Sequence, residues 1–207
     1  TVPGLYAAGE CAFVSVHGGN RLGANSLLDT IIFGRRSGEA AAQYSLQAPD
    51  KRLSENILKQ EEKRLSDIQA RKDNGDTPAK IRLEMGEAMN QYVAVFRTQE
   101  GIEEAAKVLE NLKERYKTVP VQDKGRIFNT NLLATLELGF MLDCAETIVA
   151  GALERKESRG AHTRLDYPNR DDENWMKHIL LSHTPEGPKM EYQEVKVTEW
   201  EPMERTY

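Results

Sequence analysis

The stretch GLYAAGECAFVSVHGGNRLGANSLLDTIIFGR, residues 4–35, decides how the first part of this chain folds. It opens with the small apolar run Leu5–Ala8, which is typical of a buried strand, and Gly9 follows as a breaker. Further on, apolar spacing predicts a helix that begins at Ser26. Ser26 can cap this helix, and Asp29 stands three residues later, as in a capping box. A strand, a glycine-rich turn and a helix are therefore expected in this order.

Composition and charge limit the classes of function that the sequence can serve. The 207 residues carry 28 basic and 33 acidic side chains, a net charge of −5, so no basic excess exists to neutralise nucleic-acid phosphates. Cys11 and Cys144 lie far apart and lack metal-ligand spacing, which argues against a metal site or a structural disulfide and favours a reducing compartment. The apolar runs are far shorter than the roughly 20 residues that a membrane-spanning helix needs.

Composition also divides the chain into three zones, which we predict to be three domains covering residues 1–47, 48–155 and 156–207. The first zone closes with the helix, which is expected to end near Tyr44. The second shows four apolar stripes at helical spacing and predicts a helical bundle. In the third, a polar irregular stretch precedes KHILLSH, TPEGP and KMEYQEVKV, a pattern typical of a β-hairpin with a proline–glycine turn. The predicted fold class is α+β.

The bundle is predicted from apolar residues that recur three or four positions apart. The spacing favours core packing over a cofactor lining for the Met and aromatic positions. Thr77 and Pro78 are typical of an N-cap and a first helical residue, and the fourth helix is expected to begin near Arg126. The four stripes are Leu53, Ile57, Leu65 and Ile68; Met85, Met89, Tyr92, Val93 and Phe96; Ile102, Ala105, Leu109, Leu112 and Tyr116; and Leu133, Leu136, Phe140, Cys144 and Ile148.

Four residues of the first zone are candidates for a ligand site, each with a plainer alternative. Glu10 follows the predicted strand at its carboxyl end, where open α/β sheets bind ligands, although a salt-bridged Glu fits equally. Arg21 lies between glycine turns, where a guanidinium can hold a carboxylate with two parallel hydrogen bonds, or is an ordinary surface arginine. Ser26 and Leu27 open a helix whose free amides favour negative charge, although a plain capped helix fits as well.

His17, beside two glycines, is interpreted as a structural residue rather than as a ligand or an acid–base group. The sequence shows no Ser/His/Asp or Cys/His arrangement for nucleophilic catalysis and no cluster typical of a metal site.

Two long motifs resemble a known family. GLYAAGE…SVHGGNRLGANSLLD…FGR is similar to the flavin-and-substrate segment of the succinate dehydrogenase/fumarate reductase flavoprotein subunits. RKESRGAHTRLDYPNRDDENWMKH, residues 155–178, is similar to their C-terminal region. The motifs occur in the family's order, and the helical zone between them has the family's length, so the resemblance covers essentially the whole chain. One departure is Gly19, where the family usually has alanine; it adds backbone freedom beside Arg21.

The resemblance implies an enzyme that interconverts succinate and fumarate by moving a hydride between the dicarboxylate and FAD. It implies that Glu10 contacts FAD, that Ser26 and Leu27 meet the flavin at the helix start, and that Arg21 binds a substrate carboxylate. The first zone would then be the C-terminal part of an FAD-binding α/β domain. The family's proton-shuttling arginine, substrate-binding histidine and Gly-rich pyrophosphate loop come from an earlier segment, so no catalytic acid–base residue is expected in this chain.

The resemblance also implies partners. They are the N-terminal remainder of the flavoprotein, an iron–sulfur subunit, membrane anchor subunits and the dicarboxylate, with no nucleic acid. The chain opens on Thr1 rather than Met, so we expect a piece that by itself neither holds FAD firmly nor turns over. Its partners would place it on the cytoplasmic face of a prokaryotic inner membrane or the matrix face of the mitochondrial one. The charged C-terminal zone is either a docking surface or a solvated tail.

Two other interpretations remain open at this point. L-aspartate oxidase shares the fold and a similar HGANR…NSL pattern, although the tail motif favours the dehydrogenase/reductase branch. A non-catalytic helical interaction module with a vestigial flavin edge would also fit the helical composition.

Overall fold

The computed structural model describes residues 2–19, 21, 23, 25–49 and 54–203. The chain forms two compact units, Thr1–Lys63 and Arg64–Tyr207. Helices dominate and the strands are few and short, so the predicted α+β class is confirmed. The three predicted domain boundaries remain a prediction. Leu53, expected in the first bundle stripe, lies outside the described residues.

The first unit begins without the strand that the sequence predicts. Ala8 has an extended backbone, with φ −149° and ψ 161°, but Leu5–Ala8 pairs with no strand among the described residues. Leu5 is 71% exposed rather than buried. The prediction of a buried strand is therefore wrong for this structure, because an extended run becomes a strand only when a neighbour accepts its ladder of hydrogen bonds. A 3₁₀ turn, Gly9–Cys11, follows directly.

The long helix of the first unit, α1, spans Asn25–Gln47. It begins one residue before Ser26, so Ser26 lies inside the first turn and the predicted capping role is wrong. Asp29 is likewise no member of a capping box, because its side chain turns inward and only 4% of the residue is exposed. The next helix, α2, spans Glu55–Gln69 and runs across the division between the two units.

Three helices build the bundle of the second unit, and short polar side chains start each of them. The helices are α3, Pro78–Tyr92, α4, Gln99–Tyr116, and α5, Thr130–Glu154. The Thr77 hydroxyl accepts from the amide of Lys80, and Pro78 occupies the first turn as predicted. Thr98 and Asn129 cap α4 and α5 in the same way. Each cap satisfies an amide that has no partner inside the helix.

The core of this unit confirms the third predicted stripe almost completely. Met89, Tyr92 and Tyr116 pack against it from the edge, which agrees with core packing for the Met and aromatic positions. The buried members are Ile81, Met85, Val93, Ile102, Ala105, Leu109, Leu112, Val119, Leu138, Leu142, Ala145, Val149 and Ala152.

The fourth predicted stripe lies on the exposed face of α5, so the prediction that it is buried is wrong. Leu133, Phe140 and Ile148 are 54%, 59% and 52% exposed, and Cys144 is exposed too. The helix is apolar on most sides, so spacing alone cannot select the buried face. The face that packs inward combines Leu138 and Leu142 with smaller residues, which allow the neighbouring helices to approach closely. Phe96 of the second stripe is also misplaced, since it is 66% exposed beside the bundle.

The C-terminal region contributes strands to two small sheets. β1, Phe96–Arg97, pairs in parallel with β2, Thr163–Arg164. After the short helix α6, Asp172–Trp175, the strands β3, Lys177–Thr184, and β4, Gly187–Glu194, form the predicted antiparallel hairpin. Gly187 opens β4 with φ 116°, which favours glycine at the end of this two-residue turn.

Buried charge, rather than solvated polar chain, organises the segment before the hairpin. Glu157 is fully buried and accepts hydrogen bonds from Arg155 Nη1 at 2.6 Å, Arg159 Nε at 2.8 Å and the Asp171 amide at 2.8 Å. Burial acts to raise the pKa of Glu157, but the hydrogen bonds from Arg159, Asp171 and Arg155 outweigh it and lower the pKa. The expectation of a solvated tail is wrong for Glu157 and for the equally buried Arg164.

We expect truncation at the two faces of α5 to have unequal effects on stability. Leu138→Ala should lower the free energy of unfolding by about 2–5 kcal/mol, because it removes packed methyl groups and leaves a cavity. Leu133→Ala, on the exposed face, is the matched control and should change it by less than about 0.5 kcal/mol. Urea unfolding of the purified chain measures both values. Equal losses would contradict the assignment of the buried face.

We also expect the chain to lose stability on mild acidification because of His162. Burial lowers the pKa of His162 from 6.5 to about 4, and nearby Arg97 acts in the same direction. Between these two pH values, His162 is protonated in the unfolded chain and neutral in the folded chain. Stability is therefore complete above pH 6.5 and is lost as the pH falls towards 4, by up to about 1.4 kcal/mol per pH unit for one proton.

Urea unfolding as a function of pH, for the chain and for His162→Gln, tests this. Burial also lowers the pKa of His178, so the difference between the two proteins isolates His162. The variant should show a shallower loss between about pH 6.5 and pH 5, above the range where carboxylates titrate. The same pH slope in both proteins would rule out His162 as the cause.

Candidate functional site

Two of the four predicted site residues, Glu10 and Arg21, meet at one cavity of about 290 Å³ in the first unit. The 3₁₀ turn supplies one wall, the glycine turn after His17 supplies another, and α1 supplies the floor. Its lining consists of Gly9, Glu10, Ala12, His17, Gly18, Gly19, Arg21 and Asp29.

Glu10 and Arg21, predicted separately, lie in contact in the structure. Arg21 Nη2 donates to Glu10 Oε1 at 3.1 Å. The Glu10 side chain is 85% exposed and that of Arg21 is 27% exposed. Such a solvated pair contributes little stability, so either group can exchange its partner for a ligand at small cost. The pair therefore places a carboxylate acceptor and a guanidinium donor side by side at the cavity.

Ser26 and Leu27 lie in the first turn of α1, as close to the helix start as the sequence indicates. Leu27 is 72% exposed, and its carbonyl accepts from the Thr30 hydroxyl at 2.9 Å. Amides in the first turn of a helix lack intrahelical partners and carry the positive end of the helix dipole. This turn can therefore receive a negatively charged group, whereas neither side chain lines the cavity itself.

Gly9 allows a close contact between the 3₁₀ turn and α1. Its φ of +75° favours glycine, and a Cβ at this position would lie 2.8 Å from Thr30 Cγ2 of α1. Glycine is thus needed so that the 3₁₀ turn can pack against the helix. Gly18, with φ +64°, does leave open space where a Cβ would be.

The structure adds a pair that the sequence analysis does not connect. His17 Nε2 lies 3.2 Å from Asp29 Oδ2, and the two side chains are 17% and 3% exposed. Asp29 Oδ1 is buried and has no hydrogen-bond partner within the described ranges. The available signal was a single carboxylate inside the apolar run SLLDTII, which is unusual on a buried helix face.

A larger open groove of about 490 Å³ lies between α3 and α5 of the second unit. Leu83 and Met141 line it together with Arg82, Glu87 and Glu137, and none of the predicted site residues reaches it. In the described part of the chain, no helix combines the length and apolarity that crossing a bilayer demands. The same residues contain no group of three or more His, Cys, Asp or Glu that could hold a metal ion.

Comparison with known protein families identifies the family of this chain. The family model described as fumarate reductase flavoprotein C-term matches residues 82–207. The chain belongs to the fumarate reductase flavoprotein family. A second model, described as FAD binding domain, matches residues 1–27, the segment that contains Glu10 and Arg21. The predicted family and the predicted cofactor, FAD, are therefore confirmed.

Individual relatives agree with this assignment. The fumarate reductase flavoprotein subunit of Haemophilus influenzae is 43% identical over 213 residues, which cover 100% of this chain and 35% of the relative. The succinate dehydrogenase flavoprotein subunit of Rickettsia conorii is 44% identical over 200 residues, 95% of this chain and 33% of the relative. A solved quinol fumarate reductase of Escherichia coli superposes with a TM-score of 0.93 at 42% identity, covering 98% of this chain and 35% of that one.

The chain thus spans about a third of the length of the curated relatives that it matches. The residues at the cavity fit part of an FAD site. Glu10 can accept hydrogen bonds from ligand hydroxyls, and Gly18 leaves its backbone accessible. The start of α1 and the Arg21 guanidinium favour negative charge nearby.

Proposed function

We propose that this chain forms the C-terminal portion of the flavoprotein of a succinate dehydrogenase/fumarate reductase. The enzyme would interconvert succinate and fumarate, with two electrons leaving or entering through FAD. The observation that carries this proposal is the position of Arg21, at a glycine-walled cavity beside the first turn of α1, within the segment that matches the FAD binding domain. The match of residues 82–207 to the family's C-terminal model supports it.

Arg21 would bind one carboxylate of the dicarboxylate. A guanidinium presents parallel N–H donors that match the two oxygens of a carboxylate, so it fixes the orientation of the bound acid as well as attracting it. Glu10 holds the same guanidinium at 3.1 Å in the structure. Substrate and Glu10 would thus share the donors of Arg21, and the ion pair would keep the arginine at the cavity between turnovers.

FAD, when bound, supplies the acceptor or donor of the hydride. Glu10 would accept hydrogen bonds from its hydroxyl groups, and Ser26 and Leu27 would present the free amides of the α1 start to its negatively charged edge. Correct placement of the dicarboxylate by Arg21 would then contribute to the rate through orientation, because reacting groups held at the right distance avoid much of the entropy cost of their encounter.

The proposed partners follow from the family. Electrons would pass through an iron–sulfur subunit to quinone at a membrane anchor, and the chain would lie peripherally on the cytoplasmic face of a bacterial membrane or the matrix face of a mitochondrial one. Support comes from matched structures described as "Quinol-Fumarate Reductase with Menaquinol Molecules" and "Mycobacterium smegmatis Sdh1 in complex with UQ1". The remaining two thirds of the flavoprotein length would complete the active site.

Substitution of Arg21 tests the proposed substrate contact. In the assembled enzyme, Arg21→Ala should reduce succinate turnover by about 100-fold or more while bound FAD is retained, because orientation of the acid is lost. Arg21→Lys should also be poor, since an ammonium cannot reproduce the paired donors. Dye-coupled succinate oxidation and flavin absorbance measure the two effects, with aspartate as the competing substrate.

The matched control is Arg35→Ala. Arg35 lies on α1, is 81% exposed and pairs with Glu39 at 2.9 Å, so its loss should leave turnover within about twofold. Near-normal turnover in Arg21→Ala would refute the role of Arg21. Faster oxidation of aspartate than of succinate would refute the assignment of succinate as the substrate.

Substitution of Glu10 tests the proposed cofactor contact. Glu10→Ala should weaken FAD binding by about 10-fold, because one hydrogen bond to a charged acceptor is removed. Titration of the apo-flavoprotein with FAD, followed by flavin fluorescence, gives the dissociation constant. Glu39→Ala is the control at an exposed carboxylate of α1. Unchanged FAD affinity in Glu10→Ala would exclude the contact.

A further inference from the structure

The side chains of His17 and Asp29 contact each other on either side of the segment that carries Arg21. The contact of 3.2 Å joins residues 12 positions apart, one at the end of the 3₁₀ and loop region and the other on the inner face of α1. Arg21, Ser26 and Leu27 all lie between the two contacting residues. Any movement of His17 away from Asp29 would therefore move the end of the loop on which Arg21 stands.

Burial gives this contact a different character from the Glu10–Arg21 ion pair of the site. Asp29 and His17 are 3% and 17% exposed, whereas Glu10 is 85% exposed. Water can replace a partner at an exposed carboxylate, but a buried carboxylate that loses its partner bears the full cost of desolvation. His17 contacts Asp29 Oδ2, and Asp29 Oδ1 has no partner among the described residues, so within that part of the chain this carboxylate depends on His17.

The two glycines that follow His17 give the backbone at that point little rigidity of its own. His17 is followed at once by Gly18, with φ +64°, and by Gly19, and two glycines give a backbone many alternative conformations. A contact that fixes both ends of such a loop removes most of these alternatives. A guanidinium that must meet a planar carboxylate needs this restriction more than a point charge does.

We propose that His17 and Asp29 form a positioning pair for Arg21. The inference rests on the proposed function, in which Arg21 binds the dicarboxylate. A carboxylate only accepts hydrogen bonds, so His17 donates from Nε2 and Asp29 accepts. The pair touches neither the substrate nor the reacting atoms. It holds the Arg21 loop against α1, so that the guanidinium and the first turn of the helix keep a fixed separation.

The test uses the assembled flavoenzyme with Asp29→Asn, a substitution that keeps the size of the side chain and leaves no buried charge. Loss of the charged acceptor should raise KM for succinate by about 10-fold, as losses of groups that orient ligand-binding residues do, while FAD content stays constant. The matched control is Glu39→Gln, which removes the exposed partner of Arg35 on the same helix and should leave KM within about twofold.

A double-mutant cycle separates positioning from a general structural effect. In an Arg21→Lys background, Asp29→Asn should change kcat/KM by less than about twofold. The parallel N–H donors of the guanidinium, which the positioning pair orients, are already absent in that background. An equal fold-loss in both backgrounds would overturn the proposal, as would an unchanged KM in Asp29→Asn alone. If Asp29→Asn fails to assemble with FAD, His17→Asn replaces it in both measurements, the KM of the single variant and the fold-loss of kcat/KM in the two Arg21 backgrounds.

The outcomes also separate this inference from the proposed function. Poor turnover in the Arg21 variants with normal KM in Asp29→Asn would overturn only the positioning pair. Near-normal turnover in Arg21→Ala would overturn the role of Arg21 itself, and the positioning pair with it.

Discussion

A single buried guanidinium, that of Arg164, connects the elements of the second unit. It is fully buried, yet each of its nitrogens is satisfied. Nε and Nη2 donate to the Asp166 carboxylate at 2.8 and 2.7 Å, Nη1 donates to the Ala152 carbonyl at 3.0 Å, and Nη2 also reaches the Gln99 side chain at 3.0 Å. The last turn of α5, the start of α4 and strand β2 therefore meet at one cation. Its hydrogen bonds also lower the pKa of Asp166 to about 2.

This arrangement explains why a motif rich in charge belongs to the interior. The positive end group of Arg164 caps the carbonyl end of α5, where the helix dipole is negative, and the carboxylates of Asp166 and Glu157 balance the arginines. A buried charge is tolerated only when it is paired and fully hydrogen-bonded, so each member of the network requires the others. The first unit follows this rule only in part, because Asp29 contacts His17 through Oδ2 while its Oδ1 has no partner among the described residues.

Local chemistry that depends on neighbours in sequence was predictable. The Thr77–Pro78 helix start, the core face of α4 and the β-hairpin with its turn at Gly187 all follow from spacing, capping and turn preference. The choice of Arg21 and Glu10 as candidates rested partly on family resemblance, and the structure brings them to one cavity. Their roles toward substrate and FAD remain predictions.

The errors share a cause in long-range packing. The run Leu5–Ala8 has strand composition, but composition does not specify a pairing partner. The buried face of α5 depends on where α3 and α4 stand, and a helix that is apolar all round contains no record of this. Asp29 looked like a capping residue because its spacing from Ser26 allowed it, while its true partner lies 12 residues earlier, across the glycine loop. Contacts of this kind require the fold before they can be identified.

The exposed apolar face of α5 has a practical consequence for handling the chain. The helix exposes an apolar strip that consists of Leu133, Phe140 and Ile148, and the free thiol of Cys144 lies within this strip. Strips of this type adhere to one another as concentration rises, because contact withdraws apolar surface from water. Contact between two molecules through this strip would also bring their Cys144 thiols close together, where oxidation would join them as a disulfide.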